Sequence, residues 1–271
     1  TMKALLKPLL FLLLLLVYVP STEAKSVSAK SFSMESFSWS NDLRLPSLDT
    51  TPNKGVAGAF GGFSNDWLIL AGGANFPKSV PWEGGKKQWY RTAYIRKAGS
   101  LNQEWIVLLD ALPRPLAYGA SIQLEKGVLC IGGCDDEQCY SEVFLLTVQG
   151  DSIRIDSNYP SLPVPLANMT ASLIDNKVFV AGGQESMHIQ SASSNFFMLD
   201  LADIKAGWKA LPSWPGAPRG YAVSAGQSDG FDKCFYLFSG RNYHDDVVDV
   251  LTDGYAYNPR LKTWKKLKGY F

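Results

Sequence analysis

Two adjacent glycines close an apolar run at Gly72-Gly73, Gly132-Gly133 and Gly182-Gly183, and Ser239-Gly240 takes the same place in a fourth copy. The spacings are 60, 50 and 57 residues. Self-similarity at that period confines a chain to repeat architectures, where each unit buries its apolar faces against its neighbours.

Each copy divides into the same four segments. A small-residue strand leads, at Gly55 to Phe60, Gly119 to Gln123, Thr170 to Ile174 and Tyr221 to Ala225. A buried strand follows and ends at the glycines: Trp67 to Ala71, Val128 to Ile131, Val178 to Ala181 or Cys234 to Phe238. A polar loop leads to a third strand, at Thr92 to Arg96, Val143 to Val148, Phe196 to Asp200 or Gly254 to Asn258. The fourth centres on Trp105, Ile153, Trp208 or Trp264. Four strands per unit with Gly-Gly and late-Trp markers predict an all-β, kelch-type β-propeller of four four-stranded blades. The glycines are expected where second strands crowd the central axis, and the Trp indoles where an N–H reaches a carbonyl between blades. Phe37-Ser-Trp39 before Leu45-Pro46 reads as an orphan outer strand, so the expectation is a ring cut short, truncated from a larger one.

With 26 basic and 25 acidic side chains the net charge is +1, which lacks the basic excess of a nucleic-acid partner. Residues 1–24 read as an export leader. Lys3 and Lys7 precede an apolar run from Leu9 to Val19, and Thr22-Glu23-Ala24 offers a cleavage site. That run of 11 residues is short for a membrane span, the competing reading. Residues 25–271 form the propeller domain, expected to be secreted, periplasmic in a Gram-negative cell, and off the membrane once the leader is removed. In such a compartment Cys134 and Cys139 are placed to close a small disulfide, whereas Cys130 and Cys234 read as buried thiols. Zinc at Cys130, Cys134 and Cys139 is disfavoured by spacing and by the lack of a nearby His.

The elaborate copy of the repeat is Leu70 to Tyr90. Its run Ala71-Gly-Gly-Ala-Asn75-Phe76-Pro77, with Gly84-Gly85-Lys86-Lys87 and Trp89-Tyr90, resembles the sialic-acid mutarotases, also called N-acetylneuraminate epimerases. Leu116-Ala-Tyr-Gly-Ala-Ser121 and Cys130-Ile-Gly-Gly133 are similar to the same family, in its cyclically permuted branch. The resemblance implies a periplasmic six-bladed propeller that interconverts the α and β anomers of free sialic acid without a cofactor or metal. It also implies a catalytic Glu and Arg in a Gly-Glu, Pro-Gly, Arg-Thr motif. This sequence has no match to that motif, and the permuted order puts it past Phe271.

Mutarotation needs a base for the anomeric hydroxyl, an acid for the ring oxygen and an anchor for the sugar carboxylate. In a propeller the loops after the second strands and between blades share one face, which collects Asn75 to Lys87, Arg114, Gln184 to Gln190, Arg219 and Arg241 to Asp249. Asn75 is the expected sugar contact, and Arg114, Arg219 and Arg241 are the expected carboxylate anchors. Arg114 and Arg219 read as equivalent positions, each beside a Pro and shortly before a Tyr. Glu185 is the carboxylate placed to act as acid or base, ahead of Glu83. His188 and His244 read as loop histidines, and Asp245, Asp246 and Asp249 lack calcium-loop spacing. No hydrolase triad order, zinc-protease run or phosphate loop occurs. A non-catalytic kelch propeller that binds a glycan or a protein is the alternative.

Overall fold

The computed structural model describes residues 44–48, 50–99, 104–189, 191–244 and 247–268. The leader, the Phe37–Trp39 segment, Asp245 and Asp246 lie outside the described residues.

Four antiparallel sheets of four strands follow one another along the chain. Blade 1 comprises Phe60–Ser64, Trp67–Ala71, Ala93–Lys97 and Ile106–Leu108. Blade 2 comprises Ala120–Gln123, Val128–Ile131, Val143–Gln149 and Ser152–Asp156. Blade 3 runs through Thr170–Ile174, Lys177–Ala181, Phe196–Asp200 and Lys209–Ala210. Blade 4 runs through Val223–Ser228, Lys233–Phe238, Gly254–Asn258 and Thr263–Lys266. The chain is an all-β propeller of the kelch type, with its blades where the glycine repeat puts them.

Second strands lie between the first and third in every sheet and are covered by neighbouring blades, so they read as unbroken apolar runs. Val128, Leu129, Cys130 and Ile131 are all buried. The core is correspondingly a series of layers between blades. Phe60, Ile69 and Ile95 of blade 1 meet Val128, Phe144 and Leu146 of blade 2. Between blades 3 and 4 the layer is aromatic: Phe179, Phe196, Phe235 and Tyr257 pack with Trp264, whose ring lies 4.8 Å from that of Phe196. Each such side chain contributes about 1.5–3 kcal/mol on burial.

Trp208 donates its indole N–H to Pro160 O, and Trp264 to Pro212 O, each at 2.8 Å, as expected of the outer-strand tryptophans. Trp105 departs from this, with its Nε1 buried and unpaired among the described residues.

Two expectations are corrected. The leading strand of blade 1 is Phe60–Ser64 instead of Gly55 to Phe60, because Gly55 (φ 79°) and Gly58 (φ 66°) turn the chain before it. It is also the first strands, not the second, that face one another across successive blades around the axis. The glycine pairs therefore have a different cause. At Gly72, Gly132 and Gly182 an added Cβ would lie 2.2, 2.5 and 2.0 Å from the carbonyl oxygens of Leu116, Leu166 and Arg219. Those residues belong to the loop entering the next blade, and the second glycine of each pair donates its N–H to the same carbonyl. All six glycines have positive φ, so the pair both turns left-handed and admits the incoming backbone.

The four cysteines are free and buried. Cys134 and Cys139 stand opposite each other in an isolated antiparallel bridge, so the expected small disulfide is not closed in this structure. Cys130 lies apart from them, in the layer between blades 1 and 2.

Candidate functional site at the axial mouth

The residue two places before each first strand takes a left-handed backbone: Gly58, Tyr118, Asn168 and Tyr221, with φ of 66°, 60°, 57° and 56°. They are linked from blade to blade. Tyr118 N–H donates to Gly58 O, Asn168 N–H to Tyr118 O, and Tyr221 N–H to Asn168 O, at 2.7–2.8 Å. A tyrosine or asparagine at such φ is uncommon, and this chain of bonds at the start of the innermost strands holds three of them. These residues form the rim at the start of the first strands.

The loops after the glycine pairs reach the same rim. The residue after each pair exchanges backbone bonds with the loop entering its blade, as bridges Ala57–Ala74, Ala117–Cys134, Ala167–Gln184 and Gly220–Arg241. In blades 1 and 4 these loops extend into two-stranded hairpins, Ala74–Asn75 with Gln88–Trp89 and Arg241–His244 with Val247–Val250. Each hairpin delivers one cation onto a rim tyrosine. Lys87 Nζ lies 4.4 Å from the Tyr118 ring centroid and 4.8 Å from that of Trp89, which packs edge-on to Tyr118. The Arg241 guanidinium lies 3.9 Å from the Tyr221 ring and 5.7 Å from Tyr243. Neither cation forms an ion pair among the described residues, and Arg241 Nε has no hydrogen-bond partner there. Between the two tyrosines, Asn168 Nδ2 donates to Gln184 Oε1 at 2.9 Å, and both amides are nearly buried.

This arrangement sets two positive charges on aromatic rings beside the chain of hydrogen bonds that starts the innermost strands. Two cations held on aromatic rings suit an anionic ligand.

The structure distributes the other sequence-derived candidates differently. Asn75 Nδ2 donates to Gly55 O at 2.6 Å and its Oδ1 accepts from Tyr90 OH at 2.8 Å, so its amide ties its loop to the segment entering blade 1. It lines a cleft of about 110 Å³ with Asn53, Gln88 and Tyr94. Asp135, Glu185 and Asn242 occupy the same place after their glycine pairs. Asp135 accepts from Tyr140 OH and from the N–H groups of Glu137 and Gln138. Burial works against its charge, but those bonds outweigh it and hold the carboxyl below the usual range. Glu185 is exposed and accepts one bond, 2.8 Å from Asn195 Nδ2.

Arg114 pairs with Glu142 and stacks 4.3 Å from the Tyr140 ring. The bond to Glu142 holds its guanidinium above the ordinary value. Arg219 is not its equivalent. The bonds from Leu116 N to Tyr90 O, Leu166 N to Tyr140 O and Arg219 N to Ser193 O put Arg219 in register with the two leucines. It is fully buried between blades 3 and 4, where it faces the rings of Trp214 and Tyr255. Its Nη1 donates to Ser239 O and lies 2.9 Å from Asp253 Oδ1. An exposed loop position was expected; the chain instead threads this arginine through the blade interface. Glu83 and His188 are exposed, and Asp249 is exposed opposite Asn242 in the second hairpin. His244 closes the first strand of that hairpin.

Lys87 and Gln184 end and begin two of the runs that the sequence assigns to this face, whereas Tyr118, Asn168 and Tyr221 were not among the candidates singled out from sequence. Aligning Leu116-Ala-Tyr118, Leu166-Ala-Asn168 and Arg219-Gly-Tyr221 gives the signal for the rim residues, and also reveals Arg219 in the leucine place.

The family profile described as N-acetylneuraminate epimerase matches residues 19–155 and 159–270. The chain belongs to that family. Curated relatives named N-acetylneuraminate epimerase include those of Haemophilus influenzae strain PittEE, 34% identical over 110 residues, and Brucella suis, 35% identical over 130 residues. These matches cover 40% and 44% of this chain but only 26% and 32% of the relatives' length. A relative in Yersinia pestis strain Pestoides F is 33% identical over 134 residues, 47% of this chain and 31% of its own. A solved structure titled "Structure of YjhT" superposes with a TM-score of 0.64 at 11% identity, over 81% of this chain and 73% of that one, which supports the fold.

Proposed function

We propose that the axial mouth binds the free sugar acid N-acetylneuraminate and that the protein accelerates exchange between its α and β anomers. The observation carrying this reading is the pair of cations on rim tyrosines, Lys87 over Tyr118 and Arg241 over Tyr221, in a chain of the N-acetylneuraminate epimerase family. Arg241 is the carboxylate anchor, since its planar fork meets both oxygens. Lys87 supplies a second, point-like charge. Tyr118 and Tyr221 hold the two cations in place through their ring faces.

Ring opening takes a proton from the anomeric hydroxyl and gives one to the ring oxygen, and closure on the other face reverses both steps. Among the sequence-derived carboxylates Glu185 stands nearest this role: it follows Gln184 directly and holds a single side-chain hydrogen bond. No cofactor is called for, because the bond that breaks is a hemiketal and no electrons change hands.

Proton NMR of N-acetylneuraminate released by a sialidase tests the activity. The expected result is faster anomer equilibration than in buffer, proportional to protein concentration. Binding without acceleration would instead support a non-catalytic glycan-binding propeller. We further propose export through the leader and residence outside the cytoplasm. N-terminal sequencing of the protein from its native host, expected to begin at Lys25, checks this.

A further inference from the structure

Between the rim and the blade 2 core lies a cluster that the sugar reading does not use. Cys134, Cys139 and Ala167 are buried there, with Trp89, Tyr118 and Met187 packed against them. Cys134 is fully buried and Cys139 is 6% exposed. They face each other as an antiparallel bridge. Tyr140 N–H donates to Gly133 O at 2.8 Å on one side, and Asp135 N–H donates to Gln138 O at 3.1 Å on the other. The bonds flanking the pair, with none exchanged within it, mark a non-hydrogen-bonded position. At such positions the Cα atoms approach to about 4.5 Å and the side chains are closest. That separation lies inside the span a disulfide accepts.

We propose that Cys134 and Cys139 are a disulfide-forming pair, a cross-strand staple that braces the wall carrying Lys87, Trp89 and Tyr118. The other two thiols do not compete. Cys130 is held in the layer between blades 1 and 2, and Cys234 sits beside Asp229 in blade 4.

With a small disulfide such as oxidised glutathione as oxidant, the exchange balances. Cys139 as thiolate attacks one glutathione sulfur, and the other glutathione leaves as a thiolate. Cys134 then loses its proton and attacks the Cys139 sulfur, expelling the second glutathione. Two protein thiols and one glutathione disulfide become one protein disulfide and two glutathione thiols. Cys139 is the natural attacker, because the hydrogen bond from the Cys134 thiol pushes its own pKa down while Cys134 is pushed up. Their burial directs the reaction to folding, before the loop packs under Trp89.

The test is to refold the full chain in a glutathione redox buffer, alkylate under denaturing conditions and map peptides by mass spectrometry. The expected result is two alkylated cysteines, Cys130 and Cys234, and a linked Cys134–Cys139 pair. A Cys130→Ser/Cys234→Ser variant should still lose both remaining thiols, and Cys139→Ala should leave three alkylated cysteines. Closing so small a loop should raise Tm by about 5 °C over the reduced protein, a difference absent in Cys139→Ala. Four alkylated cysteines, or linkage through Cys130 or Cys234, would overturn the proposal. The outcome is independent of sugar turnover, so it fails or stands apart from the proposed function.

Discussion

The guanidinium of Arg241 lies 3.9 Å from the ring centroid of Tyr221, a residue held at φ 56° in the chain of hydrogen bonds around the axis. One link thereby fixes a cation relative to the innermost strand of its own blade and, through Tyr221 N–H to Asn168 O, relative to blade 3. The positive charge is set in place by the fold before any ligand arrives.

If Arg241 anchors a carboxylate, Arg241→Ala should weaken N-acetylneuraminate binding by about 10- to 100-fold, the worth of a charge-assisted hydrogen bond. Arg241→Lys should fall between, because an ammonium cannot bond both oxygens at once. Binding of the uncharged N-acetylmannosamine should be equally weak in all three proteins. Calorimetry against both sugars measures this; a parallel loss for the neutral sugar would point to a damaged fold.

The glycine pairs make a sharper prediction about stability. A Cβ at Gly182 would lie 2.0 Å from Arg219 O at a φ of 66°, so it meets both a backbone clash and a left-handed penalty. Gly150 has a similar φ of 60° but nothing within 4 Å of an added Cβ. Gly150→Ala should cost about 1 kcal/mol, and Gly182→Ala about 3 kcal/mol or more, in urea unfolding. Equal costs would mean that the incoming loop gives way and that the pair is needed for backbone freedom alone.

Much of this architecture is legible in the sequence because it is repeated. Blade number, second strands and outer tryptophans follow from periodicity, since every blade solves the same packing problem with the same residue types. The axial site is less legible for the same reason: its residues replace repeat positions instead of adding a motif. Tyr118, Asn168 and Tyr221 share one backbone role, and only their side chains differ. Arg219 misled because Pro218 beside it mimics Pro113 and Pro115 around Arg114, whereas the backbone register aligns it with Leu116 and Leu166. Asn75 stands where a loop amide is expected to meet a ligand, but its amide is used to tie that loop to Gly55 and Tyr90.

The Arg219–Asp253 pair yields a prediction whose sign depends on which partner is removed. Arg219 is fully buried, whereas the Asp253 side chain is 25% exposed and also accepts a hydrogen bond from Tyr255 OH at 2.6 Å. Asp253→Asn strands a buried cation and should cost about 3–5 kcal/mol. Arg219→Leu restores the residue type of the other repeats and leaves a carboxylate that water still reaches, so it should cost less. The double variant should recover most of the loss, since an apolar replacement of a buried pair is often neutral.

The same pair predicts a pH dependence. Burial raises the Asp253 pKa, but the bonds from Arg219 and Tyr255 outweigh it and leave the carboxyl below its ordinary value; burial and Asp253 together push Tyr255 up to about 12. A folded-state pKa below the unfolded one binds fewer protons in the native state. The stabilisation is therefore full above the unfolded Asp value of about 3.9 and is lost as pH falls through the folded value. The stability gap between wild type and Asp253→Asn should be widest near pH 6 and shrink steadily below about pH 4, as protonation of Asp253 takes from the wild type the counter-ion that the variant lacks at every pH. Urea unfolding across that range measures it, and a gap that stays constant would show that the asparagine destabilises by packing and not by loss of charge.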